Sequence, residues 1–129
     1  MNGAEAIEVL SVVQLAVMGA SHLLRPMVWV EFFTVLRERG RVGIYCIAFL
    51  SLWYGSLVVA FHPIWTGLPG VLTVFGWAQV VKGAVYFLFP DYALSKLIVA
   101  VRPDRAWMYQ IWGVIFLVFA ALLGWSLWT

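Results

Sequence analysis

The chain has 129 residues, 64% of them hydrophobic and only 11% charged, with a net charge of +2 and a mean hydropathy of +0.97. Soluble domains carry roughly 25% charged residues, so a water-soluble globule is excluded and an integral membrane protein is expected. The basic residues fall in two loops rather than along one face, which excludes a nucleic-acid surface, and the single cysteine, Cys46, excludes an intramolecular disulfide or a multi-cysteine metal site.

In chain order, the first apolar run is Ala4–Leu24, with Glu5 and Glu8 near its start, where carboxylates oppose the helix dipole. No basic stretch precedes it, so it is expected to remain as a span rather than act as a cleaved signal. A second span is predicted over Val42–Phe61, closed by His62-Pro63. A third covers Leu68–Phe89, with Pro69 in its first turn, where the missing N–H costs nothing. A fourth covers Ala106–Trp128, with Asp104 placed to cap it. Each is close to the 20 residues that cross a bilayer. The short link at Ile64–Gly67 makes spans two and three an antiparallel hairpin.

Two further segments, Met27–Arg39 and Asp91–Arg102, each follow a proline, Pro26 or Pro90, which should end the preceding helix. In the second, Ala93, Leu94, Leu97, Ile98 and Val101 share one face. Both read as amphipathic helices lying in the membrane interface. Trp29, Phe32 and Phe33 give the first an aromatic face, for lipid or for a partner.

Arg25, Arg37, Arg39 and Arg41 flank the first loop, and Lys96, Arg102 and Arg105 the third. The termini and the second loop have no Lys or Arg. The positive-inside rule then places loops one and three in the cytoplasm and both termini outside.

The halves repeat. Gly19, Ala20, Leu24 and Pro26 match Gly83, Ala84, Leu88 and Pro90 at an offset of 64, and Val35, Arg41, Tyr45 and Ile47 match Val99, Arg105, Tyr109 and Ile111. Each half reads span, proline, interfacial helix, basic turn, span. The expected fold is therefore an all-α integral membrane bundle: four transmembrane helices as two parallel, pseudo-symmetric hairpin repeats (about 4–63 and 68–128), each with a cytoplasmic interfacial helix, related by an axis along the membrane normal. Gly19, Gly55, Gly76, Gly83, Gly113 and Gly124 suit close helix packing; Gly76 and Gly83 share a face, which points to a central third span.

The stretch Gly76–Pro90 (GWAQVVKGAVYFLFP), followed by an amphipathic segment and another span, resembles the YjeT-type two-helix bacterial inner-membrane proteins, which share a glycine-containing span ending in an aromatic-apolar-proline turn. The resemblance covers Gly76–Trp125 and reaches the first half only through the repeat. It implies a fold, two such hairpins in tandem, and a bacterial-type inner membrane, but no activity. That family carries an acidic residue near the position of Lys82, where this chain has a base. In size and span count the chain is also similar, more faintly, to DoxX-type four-span proteins.

Lys82 is the one base inside a span, and an intramembrane ammonium is a functional candidate by default. Gln79, Lys82, Gly83 and Tyr86 share a face of span three; Gln14, Met18, Ser21 and His22 make the equivalent face of span one. If the repeat axis joins these faces, Gln14, Ser21, His22, Gln79, Lys82 and Tyr86 form one polar cluster that could take an anion or a proton. The alternative is that Lys82 snorkels to the basic interface. His22 and His62, the only histidines, fall near opposite ends of spans, so one molecule cannot clamp one haem with both. No metal site, catalytic triad, paired carboxylates or phosphate loop is legible.

These residues point to a non-enzymatic subunit, accessory or homo-oligomeric scaffold of a membrane assembly, in contact with the bilayer and with no nucleic-acid partner. A small anion- or proton-handling transporter using the Lys82 cluster is the alternative, and a redox or quinone-linked subunit a third. No cofactor is expected under the first reading; a haem or quinone would belong to the third.

Overall fold

A computed structural model describes residues 1–129. The chain is all-helical: α1 (Gly3–Leu24), α2 (Pro26–Glu38), α3 (Arg41–Phe61), α4 (Gly67–Leu88), α5 (Pro90–Ala100), a 3-10 turn at Pro103–Arg105, and α6 (Ala106–Trp128). Helices α1, α3, α4 and α6 are long and apolar enough to cross a membrane. At 1.5 Å per residue, 21 to 23 residues reach roughly 30–35 Å, the thickness of a hydrocarbon core.

The breaks follow local chemistry. Asn2 and Glu5 form a reciprocal capping box at the start of α1, Asn2 Oδ1 accepting the Glu5 N–H at 2.8 Å. Pro26 and Pro90 occupy the first position of α2 and α5. Because the residue before a proline avoids the helical region, Arg25 and Phe89 leave it, and the chain turns from a span into an interfacial helix. Gly40, with φ +61°, makes the turn from α2 into α3, and Gly67, with φ +66°, opens α4; both lie in the left-handed region that favours glycine. Asp104 does not cap α6. Its carboxylate accepts from Arg102 at 3.1 Å, and the start of α6 has no side-chain cap.

The tight helix pairs are α1 with α6 and α3 with α4. Each pairs one span of the first half with one of the second. The two spans within a half touch only lightly, and α1 and α4 lie diagonally across the bundle. Helix α4 packs closely on α3 alone and is not the central span. The halves nevertheless correspond: α4 begins 64 residues after α1, and α5 64 after α2. Helix α6 begins 65 after α3, because the connection through the 3-10 turn outlasts the two-residue turn at Arg39–Gly40 and more than offsets the shorter α5. The identities of Arg41, Tyr45 and Ile47 with Arg105, Tyr109 and Ile111 are therefore one residue out of structural register.

Packing concentrates in two layers. At the end that carries α2, α5 and the basic loops, Val30, Ile44, Ile47, Ala93, Leu97 and Val101 are buried together, with Tyr86 and Tyr109 against them. The predicted apolar face of α5 is thus inward except for Ile98, which is 53% exposed. At the opposite end, where both termini lie, Ile7, Val58, Leu72 and Leu123 form the second layer.

Candidate functional site

The residues expected to form one polar cluster divide between two places. On α1, His22 is buried in the last turn; its Nδ1 lies 2.7 Å from the Met18 carbonyl, its ring stacks on Trp29 at 4.1 Å between centroids, and Phe116 meets it edge-on at 5.6 Å. Ser21 accepts the Trp29 indole N–H at 2.9 Å. Trp29 and Phe33 of the aromatic face of α2 are therefore used within the chain, locking α2 to α1 and, through Phe33 on Tyr109, to α6, while Phe32 stays exposed. On α4, the Lys82 ammonium sits 5.6 Å from the centroid of the Tyr86 ring, one turn nearer the basic end. No hydrogen bond or ring contact joins the His22 group to the Lys82 group, because α1 and α4 are diagonal. Gln14 is exposed and Gln79 half-buried, neither bonded to the others.

A different constellation lies at the opposite end. His62 ends α3; Pro63 after it stops the helix, and the ring turns inward, fully buried. His62 Nε2 is 2.8 Å from Glu8 Oε1 on α1, and His62 Nδ1 is 2.8 Å from Thr73 Oγ1 on α4. Glu8 is only 6% exposed and Thr73 1%. One turn further into the bundle, Ser11 Oγ and Tyr54 Oη are 2.7 Å apart, again tying α1 to α3. Glu5 serves the helix terminus as the sequence suggested; Glu8 instead crosses to a histidine 54 residues away. Nothing local in the sequence announces this pairing. The legible signal is a carboxylate in the second turn of an apolar span, where a charge without a partner is costly.

The hydrogen bonds fix which atoms carry protons. The Thr73 hydroxyl lies against the His62 carbonyl at 3.0 Å, the Ile64 carbonyl, and the Pro69 carbonyl at 3.4 Å. These can only accept, so the hydroxyl donates to this group and must accept from His62 Nδ1–H. With its proton committed to a carbonyl and its oxygen buried, Thr73 is not a nucleophile. It fastens the 62–66 loop to α4 and sets the tilt of the imidazole.

The outer surface has a second repeated feature. Leu23, Trp107, Gln110, Ile111, Val114 and Ile115 line an open groove of about 470 Å³ on the α1–α6 pair. Phe87, Val42, Tyr45, Cys46, Phe49 and Leu50 line one of about 570 Å³ on the α3–α4 pair. In the structural register the two sets correspond residue for residue. On each of α3 and α6 the lining residues fall at i, i+3, i+4, i+7 and i+8, one continuous helix face. The sequence spacing was available, but the match appears only with the 65-residue register.

No family model matches the chain, and no curated protein or solved structure is similar to it at a significant level.

Proposed function

We propose that this protein is a non-enzymatic subunit of a membrane assembly, carrying an apolar transmembrane helix of a neighbouring subunit on each of two faces. The observation that carries this reading is the residue-for-residue repetition of the open groove on the α1–α6 and α3–α4 pairs. A stripe at i, i+3, i+4, i+7 and i+8 is the geometry into which the side-chain ridge of another helix packs. The six residues differ in kind between the grooves while both remain open and apolar. The bundle behind them is closed by helix-to-helix backbone contact, which suits a rigid connector.

In this reading the protein sits in a bacterial-type inner membrane with its seven loop cations cytoplasmic and both termini outside, as the distribution of Lys and Arg favours. Native mass spectrometry of the protein released in a mild detergent tests it. The expected result is an assembly of fixed stoichiometry, reduced to single folded chains when both grooves are filled by Cys46→Trp and Ile111→Trp. Single chains carrying only lipid, from the unmodified protein, would overturn the proposal.

A further inference from the structure

The Glu8–His62 contact raises a question of proton inventory. Since Nδ1–H is given to Thr73, Nε2 of a neutral ring would carry only a lone pair, and an ionised Glu8 also offers only lone pairs. Two such acceptors do not rest 2.8 Å apart without a proton between them. The pair therefore holds one bridging proton, either as imidazolium with carboxylate or as imidazole with carboxylic acid. Both arrangements are neutral as a unit, which a buried site requires, since a net buried charge is costly.

The surroundings contain nothing else to balance a change in that charge. Helix α1 brings Glu5 and His22 besides Glu8; Glu5 is exposed and engaged with Asn2, and His22 lies at the basic end. Helix α3 brings Tyr54, paired with Ser11, and, at its basic end, Arg41, Tyr45 and Cys46. On α4 the ionisable groups are Lys82 and Tyr86, both at the basic end. Helix α6 has only Tyr109, also at the basic end. The N-terminal amine and the terminal carboxylate of Thr129 complete the set at this end.

One atom opens outward. Glu8 Oε2 has no hydrogen-bond partner, yet no enclosed side-chain oxygen or nitrogen lacks one, so this oxygen reaches the surface. It leaves the pair one accessible oxygen, on a residue near the end of the bundle where the termini lie. Deeper along α1, Ser11 and Tyr54 satisfy each other and Leu15 is buried on the next turn, so the polar line ends there.

We propose that Glu8 and His62 form a proton-binding site, holding one exchangeable proton between Oε1 and Nε2 and loaded from the end of the bundle where both termini lie. The site joins α1, from the α1–α6 pair, to the end of α3 and the start of α4. Binding or losing a proton leaves a net charge in an apolar layer beside Ile7, Val58, Leu72 and Leu123 and weakens that joint. This inference is independent of the groove reading.

Nuclear magnetic resonance of the full chain, with nitrogen-labelled histidine and carboxyl-labelled glutamate, tests it. The unmodified protein is expected to show one low-field exchangeable proton at this pair, coupled to His62 Nε2 and close to the labelled Glu8 carboxyl. Glu8→Gln should abolish that proton signal while leaving the His22 ring, at the far end, unchanged. A His62 Nε2 with no such proton beside it, or a His62 ring indifferent to Glu8→Gln, would overturn the proposal. If Glu8→Gln does not fold, the presence or absence of that proton in the unmodified protein decides alone.

Discussion

Gly19 and Gly83 make the same contact in the two halves of the bundle. A Cβ placed on Gly19 would stand 2.9 Å from the Gly113 carbonyl oxygen and 3.0 Å from the Leu117 nitrogen; one on Gly83 would stand 3.0 Å from the Ala48 oxygen and 2.9 Å from the Leu52 nitrogen. In the 64- and 65-residue registers these are equivalent atoms. The pseudo-twofold thus relates the α1–α6 pair to the α4–α3 pair at the level of backbone contacts. Each crossing is held by the absence of a side chain, as expected where lipid supplies little drive for helix association.

Gly19→Ala and Gly83→Ala should each destabilise the fold, by about 1–3 kcal/mol and by similar amounts, because the added methyl meets backbone that cannot rotate away. Gly124→Ala meets only a Val12 methyl at 3.6 Å and should be tolerated. Unfolding by denaturing detergent, followed by circular dichroism, ranks the three. Equal behaviour of Gly83→Ala and Gly124→Ala would remove the packing argument.

Thr73→Val should cost about 1–3 kcal/mol, since it leaves the buried His62 Nδ1–H without an acceptor and the 62–66 loop carbonyls without a donor. Thr73→Ser keeps the hydroxyl and should retain most of the stability. The same unfolding assay compares them; a valine variant as stable as the parent would mean the imidazole is not oriented by this bond.

Lys82→Met should change stability by no more than about 1 kcal/mol, the size of one cation–π contact with Tyr86. The ammonium has no carboxylate partner, and its reach is toward the basic end. A loss of several kcal/mol would reveal a partner for the charge and favour a ligand-binding role.

The Arg41 guanidinium, hydrogen-bonded to Asp91 at 2.9 and 3.0 Å, holds that carboxyl below the ordinary aspartate range. A carboxyl depressed in the folded state contributes stability above its unfolded value, and the contribution fades as pH falls through the folded one. The pair ties α5 to the first turn of α3 but is well exposed, so the effect should be small and screened by salt. The hydrogen-exchange protection factors of α5 amides, taken against the intrinsic rate at each pH, should fall on acidification below about pH 4, and that fall should be lost in Asp91→Asn. An unchanged profile in the variant would show that the pair does not hold α5.

The candidate sites were unevenly legible. Spacing alone could place Lys82, Gln79 and Tyr86 on one face of α4, and His22 with Ser21 on one face of α1. It could not tell that α1 and α4 stand diagonally, which parts the two groups. Glu8 read as a carboxylate near a helix start and His62 as a helix stop. Both statements are true of the chain locally, and neither reveals that the side chains meet.

Composition, hydropathy and proline position determined the four spans, the two short helices, and the gathering of seven of the eight Lys and Arg residues at one end. Those properties depend on stretches of a few to about twenty residues, and the bilayer acts on each stretch separately. Tertiary structure alone decided that α1 packs on α6 rather than on α3, that the second span of the second half starts one residue later in the repeat, and that Glu8, His62 and Thr73 share a hydrogen-bonded core. Each of these depends on the rotation of one helix about its axis relative to another. A turn of 100° per residue means that a register error of a single position removes a contact, and that rotation is set by backbone meeting backbone at Gly19 and Gly83.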